Sequence, residues 1–269
     1  MTWLVWLMAT FGWVGQGYLT AQAPGPASEL PAVPLLMPDP ADARQPFHGL
    51  SFDGTNDYCV VPNLGFSGKV SLTWEAWVFA LSPSTYDMAF GFGATTTDRL
   101  VFVMLKADTT IQFGFYGDDF DATVTSYTNK WTHIACVYDA AANKRYVYQN
   151  GDLRGSNTPT GTLNCSDANY RLGSWTGDGV RFAQGIMCAV RVWNTARTQA
   201  QIQAGMYNPW LKDTGLVASY PMLTGSGQVL SDYSGNGKNG QLGSTSGTDT
   251  NDPTWTARYR KLTNGGPQQ

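Results

Sequence analysis

The sequence of 269 residues holds two glutamates, Glu29 and Glu75, and one short acidic run, Asp118, Asp119 and Asp121. Cleaving a glycosidic bond takes two carboxylates facing each other across it, one of them able to keep a proton near neutral pH. Glu29 lies among prolines and Glu75 within a strand pattern, while a loop of aspartates is more often a solvated turn or a cation loop than an acid–base pair. No catalytic residue is assigned, and the sequence predicts a non-enzyme. Asp232-Tyr233-Ser234-Gly235-Asn236-Gly237 sets oxygen-bearing side chains at alternate positions, Asp232, Ser234 and Asn236, ahead of a glycine. That copies the first half of an EF-hand loop and makes calcium the candidate cofactor. The bidentate glutamate that should close such a loop is missing, since position 243 is Gly243. Turn chemistry favours the competing reading, a loop closed by its own Asx hydrogen bonds.

Cys59, Cys136, Cys165 and Cys188 have no C-x-x-C or Cys/His ligand spacing, so a zinc site is not expected. Each sits in or beside a strand pattern, and both buried free thiols and one or two disulfides are open. Formal net charge is -3, with no Lys/Arg cluster. A nucleic-acid surface is therefore not expected.

These groups must be carried by strands. Trp131 to Tyr138 puts Thr132, Ile134, Cys136 and Tyr138 on one side and His133, Ala135 and Val137 on the other, both sides largely apolar. Asp139 to Asn143 is a turn, Lys144 to Gln149 a second strand, and Asn150-Gly151 the dipeptide of a tight hairpin. Further strands are expected at Leu50–Phe52, Tyr58–Val61, Val70–Leu81, Met88–Phe92, Arg99–Lys106, Thr110–Tyr116, Ala122–Thr125, Tyr170–Leu172, Gly185–Trp193 and Leu216–Met222, with 117–121 as a turn. Only 14% of residues are charged and 13% are aromatic, which suits many short strands. The pattern spells an all-β, two-sheet sandwich. One helix is expected after the capping box Thr198-Gln199-Ala200-Gln201, with Ile202 and Met206 on one face, lying over an open edge or end of the sandwich.

The termini differ in character. Met1 to Ser28 has no charged side chain, and Trp3 to Ala23 is long enough to cross a bilayer. Without a basic n-region, a signal peptide, a membrane anchor and a packed N-terminal arm all stay open for residues 1–23. Residues 24–49 hold seven of the fourteen prolines and read as an extended spacer. Residues 50–257 form the sandwich, and 258–269 a weakly basic tail.

Phe52-Asp53-Gly54-Thr55-Asn56-Asp57-Tyr58, Trp131-Thr132-His133-Ile134-Ala135, Tyr148-Gln149-Asn150-Gly151, Arg191-Val192-Trp193-Asn194, Ala196-Arg197-Thr198 and Gly215-Leu216-Val217-Ala218 follow one another in the order seen in laminin-G-like domains. From Leu50 to Leu242 the chain resembles that branch of the concanavalin-A-like lectin and glucanase superfamily. The resemblance implies a jelly roll of two curved antiparallel sheets, and by analogy sugar binding, protein adhesion and calcium. It also makes His133 a core position and Asp53 and Asp57 a second candidate metal site. The family's strand carries two acidic residues before Val-Arg, where this chain has Cys188-Ala189, which weakens the calcium case. It implies that the strands of Cys59 and Cys188 are neighbours, making these two the candidate disulfide.

A sugar site needs an aromatic beside polar acceptors. Tyr116 with Asp118 and Asp119, and Tyr170 with Trp175 and Asp178, are the loop candidates. The expected role is a non-catalytic recognition or structural subunit of a surface assembly, such as a virion decoration, a fibre or an extracellular filament, docked through the N-terminal arm as an oligomer. The alternative is a secreted module binding a glycan or protein surface, and a glycoside hydrolase is a remote third. All place the protein outside the cell or on a particle surface.

Overall fold

The computed structural model describes residues 48–83, 87–175 and 181–256, and the backbone of 262–263 and 266–267. The expected N-terminal arm, nearly all of the Pro-rich spacer, most of the tail and Asp178 lie outside the described residues. No helix among the described residues is long and apolar enough to cross a membrane.

In chain order the strands are β1 (Leu50–Asp53), β2 (Cys59–Val61), β3 (Leu72–Ala80), β4 (Asp87–Gly93), β5 (Leu100–Ala107), β6 (Thr110–Gly114), β7 (Asp119–Thr123), β8 (Trp131–Asp139), β9 (Lys144–Gln149), β10 (Asp152–Asn157), β11 (Tyr170–Leu172) and β12 (Gln184–Trp193). After helix α1 (Gln199–Gly205) come β13 (Leu216–Tyr220), β14 (Val229–Leu230), β15 (Gly240–Leu242), β16 (Thr254–Trp255) and a small terminal pair, β17 (Leu262–Thr263) and β18 (Gly266–Pro267). Two antiparallel sheets face each other. The first runs β10-β9-β8-β3-β12-β1-β16, with β13 also paired to β12; the second runs β14-β15-β2-β11-β4-β5-β6-β7. This is the expected jelly-roll sandwich, and its core is closed by contacts such as Trp74 of β3 stacked on Phe90 of β4 at 5.9 Å.

The Asn150-Gly151 turn has both residues at positive φ, 52° and 81°, and pairs Gln149 with Asp152. Its twist matches that of the flanking strands. Thr198 caps α1 as its spacing predicts: its hydroxyl accepts from the Gln201 N–H, and Gln201 Oε1 accepts the Thr198 N–H at 2.9 Å. The helix lies by the edge strand β10, where Gln199 and Gln203 donate to the Gly151 carbonyl of the β9–β10 turn, and it reaches inward over the outer face of the first sheet. Ile202 packs with Ala135, Val137 and Tyr148 on the outer face of the first sheet, which is why β8 is apolar on both sides.

Beneath that cover lies a buried charge cluster. Glu75 Oε1 accepts from Trp193 Nε1 at 2.7 Å and pairs with Arg191 Nε at 3.1 Å, and His133 Nε2 stands 3.4 Å from Oε2. Arg191 donates onward to the carbonyls of Asn208 (2.7 Å) and Gly205 (3.0 Å), and Trp77 Nε1 donates to that of Met206 (2.7 Å). The end of α1 is thus tied to the sheet by three side-chain donors. Burial alone would raise the Glu75 carboxyl, but Arg191 and His133 outweigh it and hold it at about 2. His133 is fully buried, as the resemblance implies.

Candidate functional site

Strand β5 explains where a site can form. Val101, Val103 and Leu105 enter the main core, so by the period of two Leu100, Phe102 and Met104 point to the opposite, outer face of the second sheet. There they form a separate apolar cluster with Met88 and Trp175, and Tyr116 packs against it. Register aligns this face in two cross-strand rows. Gly91, Phe102, Gly114 and Asp119 make one; Met88, Met104, Gln112 and Asp121 make the other. Gly114 must lack a side chain, since a Cβ there would collide with the Phe102 ring and with Asp119 Oδ1. Ring and carboxylate meet over that bare position.

One turn and one bridged segment flank the rows. The β6–β7 turn raises Tyr116 (φ 51°) and Gly117 (φ 79°) over one end. On the other side the chain after β11 is bridged to residues 181–182: Trp175 N–H donates to the Arg181 carbonyl at 3.2 Å, and Ser174 pairs with Phe182. Tyr116 and Trp175, 59 positions apart in the sequence, meet at 5.9 Å between ring centroids. The result is a cavity of about 330 Å³ lined by the Met88, Leu100, Phe102 and Met104 floor, by Tyr116, Gly117 and Trp175, and by the polar groups Lys106, Gln112, Asp119 and Arg181.

Its electrostatics are mixed. Lys106 Nζ is 2.6 Å from Asp121 Oδ2, and Gln112 Nε2 donates to Asp121 Oδ1 at 2.7 Å. Asp119 is exposed, and desolvation, with Asp121 and Asp118 nearby, moves its carboxyl upward against the pull of Arg145 and Lys106. The Arg181 guanidinium lies 4.2 Å from the centre of the Trp175 ring.

Of the sequence candidates, Tyr116, Asp119 and Trp175 converge here. Tyr170 does not: it is a core residue stacked on Phe92 at 4.5 Å, its hydroxyl donating to Asp167. Asp118 points away from the cavity, buried beside Arg145 Nη2 at 2.8 Å and accepting from Thr160 Oγ1 and the Gly161 N–H. The expected turn over 117–121 is shorter, because Asp119 and Asp121 already belong to β7. Sequence reasoning missed Met88, Met104, Lys106, Gln112 and Arg181. The signal for the floor was present, as Leu100 to Leu105 is apolar at every position and so must be covered on both faces.

The candidate metal loop does not fit an ion. Asp232 Oδ1 accepts the N–H groups of Ser219 and Ser234, and Oδ2 accepts Ser234 Oγ and the Lys238 N–H. Asn236 Nδ2 donates to the carbonyls of Leu216 and Val217. The loop is the self-bonded Asx turn. Asp53 Oδ1 accepts from the N–H groups of Thr55 and Asn56, and Asp57 Oδ2 from that of Asp53. Among the described residues no three His, Cys, Asp or Glu side chains are gathered as ligands. The disulfide expectation is also corrected. The turn after β1 carries the chain across to the second sheet, so β2 pairs with β11 and β15 while β12 stays in the first sheet. All four cysteines are free and buried.

Asp57 is 6% exposed, and burial, with Asp53 and Asp252 nearby, lifts its carboxyl from 3.8 to about 6. The folded state therefore holds this proton more tightly than the unfolded chain does. The associated stability is complete below pH 3.8 and is lost as pH rises through about 6. Asp57→Asn is expected to stabilise the domain at pH 7 by about 1–2 kcal/mol, less than the full shift because the open turn around it screens the charge. Thermal unfolding of both proteins from pH 4 to 8 checks this, and a constant difference across that range refutes it.

Comparison with curated proteins returns no match. Among solved structures the chain is similar to that of a candidate carbohydrate-binding protein from Bacteroides ovatus, at 21% identity and a TM-score of 0.64, over 84% of this chain and 62% of that one. It thus spans less than two thirds of that protein. It is also similar to the heptameric SAP-like pentraxin of Limulus polyphemus, at 16% identity and a TM-score of 0.53, over 75% and 96% of the two chains. At these identities the likeness is one of fold. The sequence profile of the laminin-G-like family matches residues 53–203, more than half of the chain, and the chain belongs to the concanavalin A-like lectin/glucanases superfamily.

Proposed function

We propose that the chain is a non-catalytic carbohydrate-binding module that holds a glycan in the groove on the outer face of the second sheet. One observation carries the reading: an apolar floor of Met88, Phe102 and Met104 is bordered by Lys106, Gln112 and an exposed Asp119 carboxylate. A sugar ring has the matching two-sided chemistry, with C–H groups on its face and hydroxyls around its rim. Lys106 is matched by Asp121 at 2.6 Å, so the groove suits a neutral ligand better than a polyanion. Membership of a lectin superfamily and the fold shared with a candidate carbohydrate-binding protein favour this over the surface-assembly role, which rests on an arm outside the described residues.

Calorimetric titration against a panel of neutral oligosaccharides tests it. Binding is expected for at least one glycan, and Asp119→Ala is expected to weaken it at least tenfold, the loss of a hydrogen bond to a charged group. Binding that Asp119→Ala leaves unchanged, or a panel with no binder, refutes the proposal.

A further inference from the structure

Gln112 turns one end of its amide toward the groove, and its neighbours decide which. Ile111 and Phe113 on either side of it enter the main core, so Gln112 stands on the outer face, where it lines the cavity while only 7% exposed. An amide has a donor at one end and an acceptor at the other. Asp121, directly across on β7, settles the orientation. A carboxylate only accepts, so the amide atom 2.7 Å from Asp121 Oδ1 is Nε2, and Lys106 Nζ, 2.6 Å from Oδ2, keeps that carboxylate in place. Oε1 is the end left over. It bonds to none of the described residues, and it is not one of the fold's sealed, unpaired side-chain atoms. Asp119, two residues before Asp121 and so on the same face, is exposed and also only accepts.

We propose that the groove reads its glycan through two acceptors, Gln112 Oε1 and the Asp119 carboxylate, and so selects a sugar by the hydroxyls that donate to them. The inference rests on the glycan reading of the groove and narrows it. Gln112 and Asp119 are a diagonal cross-strand pair, about 7 Å apart at their Cβ atoms. A hydroxyl carries one proton, so each acceptor needs its own. The ligand therefore presents two donating hydroxyls to the β6–β7 side of the groove while its C–H face rests on Phe102 and Met104. A site built to hydrogen-bond a ligand hydroxyl rejects the analogue lacking it far more strongly than an apolar pocket discriminates by shape. Asp121 is a positioning residue in this scheme, since it acts on the ligand by fixing the amide of Gln112.

The test uses the full chain, labelled with nitrogen-15, and chemical-shift titration with the methyl glycosides of galactose, glucose, xylose and arabinose. Monodeoxy and deoxyfluoro forms of each glycoside that binds are then compared with their parent. Fluorine leaves a weak acceptor where the hydroxyl stood and removes the donor. At two ring positions the deoxy and deoxyfluoro forms are expected to lose affinity alike, about tenfold at the one facing Asp119 and about fivefold at the one facing Gln112. Gln112→Ala should abolish the second penalty and keep the first, and Asp119→Ala the reverse. In Asp121→Asn the new amide can donate to Oε1 and let Nε2 turn outward, so the deoxyfluoro form is expected to bind better than the deoxy form at the Gln112 position. If deoxyfluoro sugars bind the wild type as well as their parents at every position, the protein is donating and the acceptor assignment is overturned while the groove stands. Penalties that Gln112→Ala leaves in place overturn the role of Gln112. If no parent glycoside shifts the signals of Tyr116, Gln112 and Asp119, the groove reading fails and takes this inference with it. The wild-type comparison of deoxy with deoxyfluoro sugars decides the acceptor assignment even where a variant folds poorly.

Discussion

Glu75→Gln destabilises the domain by about 3–5 kcal/mol, a large share of the 5–15 kcal/mol by which folded domains are usually stable. Glutamine keeps the shape of the side chain and can still accept from Trp193 Nε1, now at 2.7 Å from Oε1. What it removes is the charge opposite Arg191, which is fully buried and whose other donors hold the carbonyls of Gly205 and Asn208. An uncompensated guanidinium in that position either stays charged at high cost or pulls away and frees the end of α1. Urea denaturation at pH 7 reads the loss, and a difference below about 1 kcal/mol would show that the cluster matters less than its burial implies. The pH dependence has a definite sign. The carboxyl is held at about 2, below its ordinary 4.5, so its contribution is complete above pH 4.5 and is lost as pH falls through about 2. The wild-type stability curve should therefore fall more steeply on acidification than that of Glu75→Gln.

The difference between what the sequence made legible and what it hid follows from the range of each interaction. The β8–β9–β10 hairpins and the cap of α1 depend on residues within five positions of one another, and Asn150-Gly151 and Thr198/Gln201 do what their types dictate. Where α1 docks is set by Arg191, Glu75 and Trp77 from two other strands, and local pattern has no access to that. The groove shows the same limit more sharply. Tyr116 and Trp175 were each legible as aromatics beside polar residues, but only the pairing order of β11, β4, β5 and β6 brings them to 5.9 Å. Tyr170 and Trp175 stand five apart on one segment and end on opposite faces. Five is an odd separation, so alternation alone sends them to opposite sides: Leu172 enters the core beside Tyr170, while Trp175 joins the outer cluster.

The sharpest consequence falls on two adjacent aspartates. Asp118→Asn is expected to cost about 3 kcal/mol of stability and also to weaken glycan binding, although Asp118 does not line the groove. Its carboxylate anchors Arg145, whose Nη1 donates to the carbonyls of Phe113 and Asp118 and whose guanidinium lies 4.7 Å from the centre of the Phe115 ring. Those contacts fix the turn that raises Tyr116 and Gly117. Burial would raise the Asp118 carboxyl, but the Gly161 N–H, Arg145 and Thr160 outweigh it and leave it lowered, so its contribution is present above pH 3.8 and disappears on further acidification. Asp119→Ala has the opposite signature. That side chain is exposed over the groove, so its loss should leave the denaturation midpoint within about 0.5 kcal/mol of wild type while removing affinity. Denaturation and glycan titration on both variants separate a positioning residue from a contacting one: equal stability losses would show that Asp119 is structural, and an Asp118→Asn protein as stable as wild type would show that the turn holds without Arg145. Either result would mean that the groove wall is built differently from the way its hydrogen bonds indicate.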